Sequence, residues 1–212
     1  MSASVVSLTE LETDALTEIV NIGVSRAASN LRKMVGDQVF LSVPSIEVVS
    51  QLRAARLITE REVAELIAVR QEFEGPFSGR ALLIFPEANS LELVRAVTGG
   101  ELSVEEVIEL EQEALAETGN VILNSCLATM ANMLKRSLNM TVPEVVRGNG
   151  ATLFEIDDEN AAQGLVLFLY IDFAIRKRYI RGYIAMIMDL PSLEVLKELL
   201  DEFIERVVGD DE

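Results

Sequence analysis

The sequence contains no histidine. That absence removes the commonest general base, the Ser-His-Asp type of triad and the usual zinc ligand sets. Any chemistry the chain performs therefore uses carboxylates and amides, or is completed by a partner. A single cysteine, Cys126, rules out an intramolecular disulfide and fits a reducing cytoplasm. Positive charge is scarce: 18 Lys and Arg stand against 35 Asp and Glu, for a formal net charge of −17. Nucleic acid and anionic membranes both need a basic surface, so neither is expected as a partner. A partner with exposed lysines or arginines remains compatible. Long apolar runs are missing too. The longest, near Leu165–Tyr170, is interrupted by Asp172 and is far too short to span a bilayer of ~30 Å. The N-terminus lacks the basic-then-apolar pattern of a secretory signal. No linker rich in Pro, Gly or Ser divides the chain, and only Gly99-Gly100 breaks it midway.

The 212 residues that are present have a globular composition, half hydrophobic and 25% charged. They also carry a duplication. Asp14-x3-Glu18-x2-Asn21 returns as Glu113-x3-Glu117-x2-Asn120 at a spacing of roughly a hundred residues, too long for a solenoid repeat. Neighbours match at the same offset: Leu11, Glu12, Ala15 and Leu16 with Leu110, Glu111, Ala114 and Leu115, and Val43-Pro44 with Val142-Pro143.

The first half reads as a helix from Leu8 to about Met34, opened by a Thr9/Glu12 capping box and stopped at Gly36-Asp37. A strand over Val39–Val49 follows, with Pro44 marking an edge or bulge. Then come an amphipathic helix over Thr59–Leu66, strands at Ala68–Glu74 and Gly79–Phe85 about a Gly75-Pro76 turn, and a helix over Pro86–Val97. The second half replays the order. Its helix runs from Ser103 or Val107 to Leu138 and its first strand begins near Thr141. Strands follow at Gly164–Phe173 and Tyr179–Met188, then a helix over Pro191–Val207. The tripeptides Ser90-Leu91-Glu92 and Ser192-Leu193-Glu194 open the two closing helices alike. The expectation is an α/β (α+β) fold: two pseudo-symmetric α-β-β-β-α halves, approximately residues 8–99 and 107–207, with long helices on antiparallel sheets, forming one domain over 1–212.

On a helix, positions 14, 18, 21 and 25 fall within a sector of roughly 60°. Asp14, Glu18, Asn21 and Ser25 thus make one polar stripe, and Glu113, Glu117, Asn120 and Asn124 another. A solvated helix face would account for acidic residues alone. It accounts less well for asparagine, a poor helix former, at the same place in both copies. A carboxamide offers donor and acceptor together, so it can hold a water in line with an electrophilic phosphorus. Positioning is most of what phosphoryl transfer requires.

With Ile22-Gly23 after the first motif and Gly119 inside the second, the two motifs resemble the paired active-site motifs of the CheC/CheX/FliY phosphatases. The order of strand pairs and closing helices extends the resemblance over nearly the whole chain. Two intact motifs favour the CheC type, because CheX-type relatives keep one working motif. FliY-type relatives carry a further switch domain for which this sequence has no room. The resemblance implies hydrolysis of the aspartyl-phosphate on the chemotaxis response regulator CheY, in the cytoplasm. It implies that Asn21 and Asn120 orient the attacking water and that Glu18 and Glu117 pair with a lysine of the regulator. Asp14 and Glu113 take an auxiliary place; the family usually has Asp or Ser there, so Glu113 is a departure. No cofactor or metal of its own is implied, since the Mg²⁺ belongs to the regulator.

Relatives that bind the receptor deamidase CheD carry an extra amphipathic helix in the second half. Here that region, Arg147-Gly148-Asn149-Gly150 through Asp157-Asp158-Glu159-Asn160, makes a poor helix, so CheD is a doubtful partner. The rival reading is a non-catalytic module of the same fold that sequesters the phosphorylated regulator or CheD. Other features read as structure. Cys126, Met130, Met133 and Met140 are core residues, Arg176-Lys177-Arg178 is a hairpin turn, and Gly209–Glu212 is a frayed acidic end.

Overall fold

The computed structural model describes residues 7–62, 64–98, 103–156, 164–175 and 178–209. In chain order the elements are α1 (Glu10–Val35), β1 (Val39–Ser50), α2 (Gln51–Arg61), β2 (Leu66–Glu74), β3 (Gly79–Pro86) and α3 (Glu87–Val97). They continue as α4 (Val104–Met133), β4 (Asn139–Met140), β5 (Glu144–Gly148), α5 (Gly150–Leu153), β6 (Leu165–Ile175), β7 (Arg178–Met188) and α6 (Leu190–Gly209). Both long helices start on reciprocal capping boxes, Thr9 with Glu12 and Ser103 with Glu106. Gly36, at φ 65°, ends α1 by returning its N–H to the Arg32 carbonyl.

The seven strands among the described residues join one antiparallel sheet in the order β1-β6-β7-β3-β2-β4, with β5 also paired to β2. Each half sends its first strand across to the second strand of the other: β1 pairs with β6, and β5 with β2. The third strands, β3 and β7, meet at the centre. The repeated units are thus interleaved, and the first strand of neither unit pairs within its own half.

Residues alternate between two cores. Ile67, Val69, Leu83, Phe85, Leu167, Leu169 and Ile184 pack beneath α1, α3, α4 and α6. Leu66, Ala68, Leu82, Ile84, Val166, Phe168 and Ala185 pack against Ala54, Ala55 and Ile58 of α2 and Leu153 of α5. Coverage on both faces explains why the central strands read as nearly continuous apolar runs. Met130 is fully buried, and Met133 and Met140 pack on the same core, as expected.

Three boundaries differ from the sequence expectations. The helix expected over Thr59–Leu66 is α2 at Gln51–Arg61. β1 runs straight into it through Ser50, whose hydroxyl caps the Arg53 N–H, and Leu66–Ala68 belong to β2. α4 stops at Met133 and not at Leu138, because Lys135 takes φ 54° and the Arg136 N–H folds back to the Ala131 carbonyl. The second half's first strand is broken at Thr141-Val142-Pro143 into β4 and β5. In the region weighed for CheD, α5 has four residues, while 157–163 lie outside the described residues, as do Gly99-Gly100, residues 176–177 and 210–212. Among the described residues no helix is long and apolar enough to cross a membrane.

Two glycines set the height of the long helices. A Cβ at Gly23 would lie 2.9 Å from the Cys126 Cα, where α1 meets α4. A Cβ at Gly119 would lie 2.5 Å from Val69 Cγ1, where α4 rests on β2. Alanine is otherwise the better helix former by about 1 kcal/mol. Gly119→Ala should nonetheless destabilise by about 1–3 kcal/mol through overpacking. That corresponds to a drop in Tm of a few degrees for a chain of this size. A Tm equal to or above wild type in a thermal melt would contradict this packing.

Candidate functional site

Both stripes lie on the outward sides of α1 and α4, and buried glutamates paired with part-exposed cations anchor these helices from below. Glu12 and Glu111 occupy equivalent positions and are both buried. Glu12 binds Lys197 of α6 at 3.0 Å. Burial pushes its carboxyl up, but the Thr9 N–H and Lys197 more than reverse this and hold it below the usual range. Glu111 accepts from Ser90 of α3 at 2.9 Å and pairs with Arg147 of β5. Each long helix is therefore tied to the closing helix of the other half.

Along the first stripe, Asp14, Glu18 and Ser25 are exposed and Asn21 is half-buried. Neither Asp14 nor Glu18 has an ion-pair partner among the described residues. The Asn21 Oδ1 accepts the Val43 N–H at 3.1 Å. Val43 lies where the β1–β6 register shifts between Ser42 and Ser45, beside Pro44, so its N–H falls outside the regular ladder. Asn21 supplies the partner that the bulge removed, and its Nδ2 has none among the described residues. Glu18, Asn21, Ile22, Ser25, Arg26 and Ser29 line a shallow groove there.

The second stripe repeats the residues but not the contacts. Glu113 and Glu117 are exposed and Asn120 is half-buried. The Asn120 Oδ1 accepts from Asn124 Nδ2 at 2.7 Å, and the Asn124 Oδ1 accepts from Gln71 Nε2 at 3.0 Å. Gln71 Nε2 also donates to the Thr141 carbonyl at 2.6 Å. Val43 is 3% exposed, whereas its counterpart Val142, in the gap between β4 and β5, is 83% exposed. The strand contact that holds Asn21 is thus replaced by a side-chain chain at Asn120.

Sequence reasoning named Asn124 but missed Gln71 and Thr141. A signal existed. Gln71 is an amide in the inward series Ile67, Val69, Phe73, and an amide at an apolar position asks for a partner. Cys126 is buried, as expected, and burial pushes its thiol up to about 12, which keeps it protonated and unreactive. Among the described residues no group of three or more acidic or cysteine side chains is placed to hold a metal ion.

A family model described as "Chemotaxis phosphatase CheX" matches residues 67–168, and one described as "CheC-like family" matches residues 11–48. Both matches place the chain's likeness in the CheC/CheX/FliY family, whose named members include CheY-P phosphatases. It is 26% identical over 139 residues to the CheY-P phosphatase CheC of Bacillus subtilis, covering 64% of this chain and 66% of that protein. It is 23% identical over 140 residues to the flagellar motor switch phosphatase FliY of the same organism, covering 65% of this chain and 36% of that protein. The match therefore spans just under two thirds of the first relative and about a third of the second. Among solved structures, Thermotoga maritima FliY superposes with a TM-score of 0.71 at 20% identity, covering 92% of this chain and 98% of that one. A chain of a Borrelia burgdorferi CheX-CheY-BeF3-Mg²⁺ complex is similar at a TM-score of 0.50 and 16% identity, covering 82% of this chain and 99% of that one. These likenesses establish the fold.

Proposed function

We propose that the protein is a phosphatase that hydrolyses the aspartyl-phosphate of a CheY-type response regulator and so ends the signal to the flagellar motor. It would act through two sites, Glu18 with Asn21 and Glu117 with Asn120. One observation carries the reading: the same exposed glutamate and half-buried asparagine recur on two helices although different neighbours hold the two amides. A structural asparagine would be kept for its contact, and here the contact changes while the residue does not. The names of the relatives in the family point the same way.

In both copies Oδ1 is taken from within the protein, leaving Nδ2 as the end of the amide with no partner among the described residues. Placed in the regulator's active site, that N–H holds the oxygen of a water opposite the P–O bond to aspartate. The water oxygen bonds to phosphorus and the P–O bond to the aspartyl carboxylate breaks. Inorganic phosphate and a free carboxylate result, and the water's proton passes to phosphate or solvent. Mg²⁺ arrives with the phosphorylated regulator as part of the substrate. Glu18 and Glu117 meet a lysine of the regulator, which lets an acidic surface approach a phosphorylated acidic pocket. Asp14 and Glu113, farther along each stripe, widen that docking charge.

The test is phosphate release from Mg²⁺-loaded phosphorylated CheY with this protein at about one-tenth of the regulator concentration. Accelerated release over many turnovers is the expected result. Binding without acceleration would instead identify a module that sequesters the regulator.

A further inference from the structure

We propose that Gln71 and Asn124 are positioning residues for the second site, fixing the Asn120 carboxamide so that Nδ2 is the end offered to a bound regulator. The inference rests on the reading of Asn120 as a residue that acts on that regulator. Its basis is the direction of each hydrogen bond. The Thr141 carbonyl can only accept, so it fixes which end of Gln71 faces it, and that end is Nε2. The same Nε2 then requires an acceptor from Asn124, which turns Oδ1 inward and Nδ2 toward Asn120. A flip of Asn120 would set Nδ2 against Nδ2. The orientation therefore passes from the strand gap at Thr141 through two amides to the surface.

Gln71 is 2% exposed, and its Oε1 is enclosed without a hydrogen-bond partner among the described residues. A carboxamide that leaves one end unpaired in a core is costly, and an apolar residue would suit the position better for packing alone. What the residue does provide is the pair of N–H bonds to Thr141 and Asn124. The first copy has no need of such a chain. Ser25 stands where Asn124 does, and the Val43 N–H, at the bulge of the continuous strand β1, performs the orienting step directly on Asn21. In the second copy the strand is broken, Val142 lies out in solvent, and the relay takes over.

Asn124→Ala and Gln71→Met should each be made in two backgrounds, Asn21→Ala, which leaves the second site working, and Asn120→Ala, which leaves the first. Phosphate release should lose about tenfold in kcat with KM within about twofold in the first background, as expected for a misplaced group, and change by less than about twofold in the second. Side-chain amide NMR supplies a readout free of activity. The Asn120 amide pair should be displaced from the position of a free carboxamide in the otherwise unaltered protein and return to it in Asn124→Ala. Equal losses in both backgrounds, or an Asn120 signal that does not move, would overturn the relay. A different pattern bears on the function itself. If neither asparagine background lowers release, the assignment of Asn21 and Asn120 to the reaction falls, and the NMR result alone then decides whether the relay holds Asn120.

Discussion

Phosphate release should fall to the regulator's own spontaneous rate when Asn21→Ala and Asn120→Ala are combined, while each single variant keeps roughly half of the activity if the sites work independently. The two changes differ in structural cost. Asn21→Ala removes the acceptor of the Val43 N–H inside a strand irregularity, where an unsatisfied amide costs about 1–3 kcal/mol. Asn120→Ala exposes only the Nδ2 of Asn124, a half-buried group that water can reach, so its cost should stay below about 1 kcal/mol. Neither is large enough to unfold a domain with ordinary stability. Thermal melts run beside the assay would therefore separate lost chemistry from lost fold. The double variant should melt cooperatively a few degrees below wild type and yet be inactive. Wild-type turnover in a folded double variant would end the assignment of both residues.

The unequal cost follows from how the duplicated unit is used. The first strands cross between halves, so each long helix rests on a sheet built from both copies and is pinned by the closing helix of the other. Divergence in one strand is then felt beneath the opposite helix. Where the second copy's first strand is broken at Thr141-Val142-Pro143, the amide above it has a different support from that of Asn21. Gln71, on a strand of the first half, provides it.

The parts of this arrangement that could be read from sequence are those written locally. Thr9 with Glu12, and Gly36, mark the ends of α1 because caps act within one turn. The strand pairs β2/β3 and β6/β7 announce themselves as apolar runs around turn residues. The motif was legible for another reason: repetition separates a kept asparagine from a drifting one. α2 was misplaced because no glycine or proline marks the join, only the Ser50 cap, and the charged run near Glu60–Glu65 imitated a helix of its own. The crossing of β1 to β6 could not be read, since pairing partners far apart in the chain leave no local mark. The same holds for the supports of the two amides, which lie 22 positions from Asn21 and 53 from Asn124. Only the misfit of Gln71 among apolar neighbours hinted at one of them.

Reversing both glutamates, Glu18→Lys with Glu117→Lys, should lower kcat/KM by about tenfold to a hundredfold while leaving kcat at saturating regulator nearly unchanged. Both carboxylates are exposed and without an ion-pair partner among the described residues, so removing them breaks nothing inside the protein. Melting temperature should move by less than a couple of degrees, as for other surface changes of under ~0.5 kcal/mol. General steering is not the cause of the loss. Each reversal adds two charges, which takes the formal net charge only from −17 to −13. The loss is local: a lysine of the regulator that met a carboxylate now meets an ammonium. Salt should therefore narrow the gap between variant and wild type, because exposed pairs are screened over ~10 Å at 0.1 M ionic strength. Reversing the regulator's lysine to glutamate should restore most of the encounter for the Lys variants and impair it for wild type. A fall in kcat with KM unchanged would assign the glutamates to the chemical step instead, where they would act on the water or the phosphoryl group and not on docking.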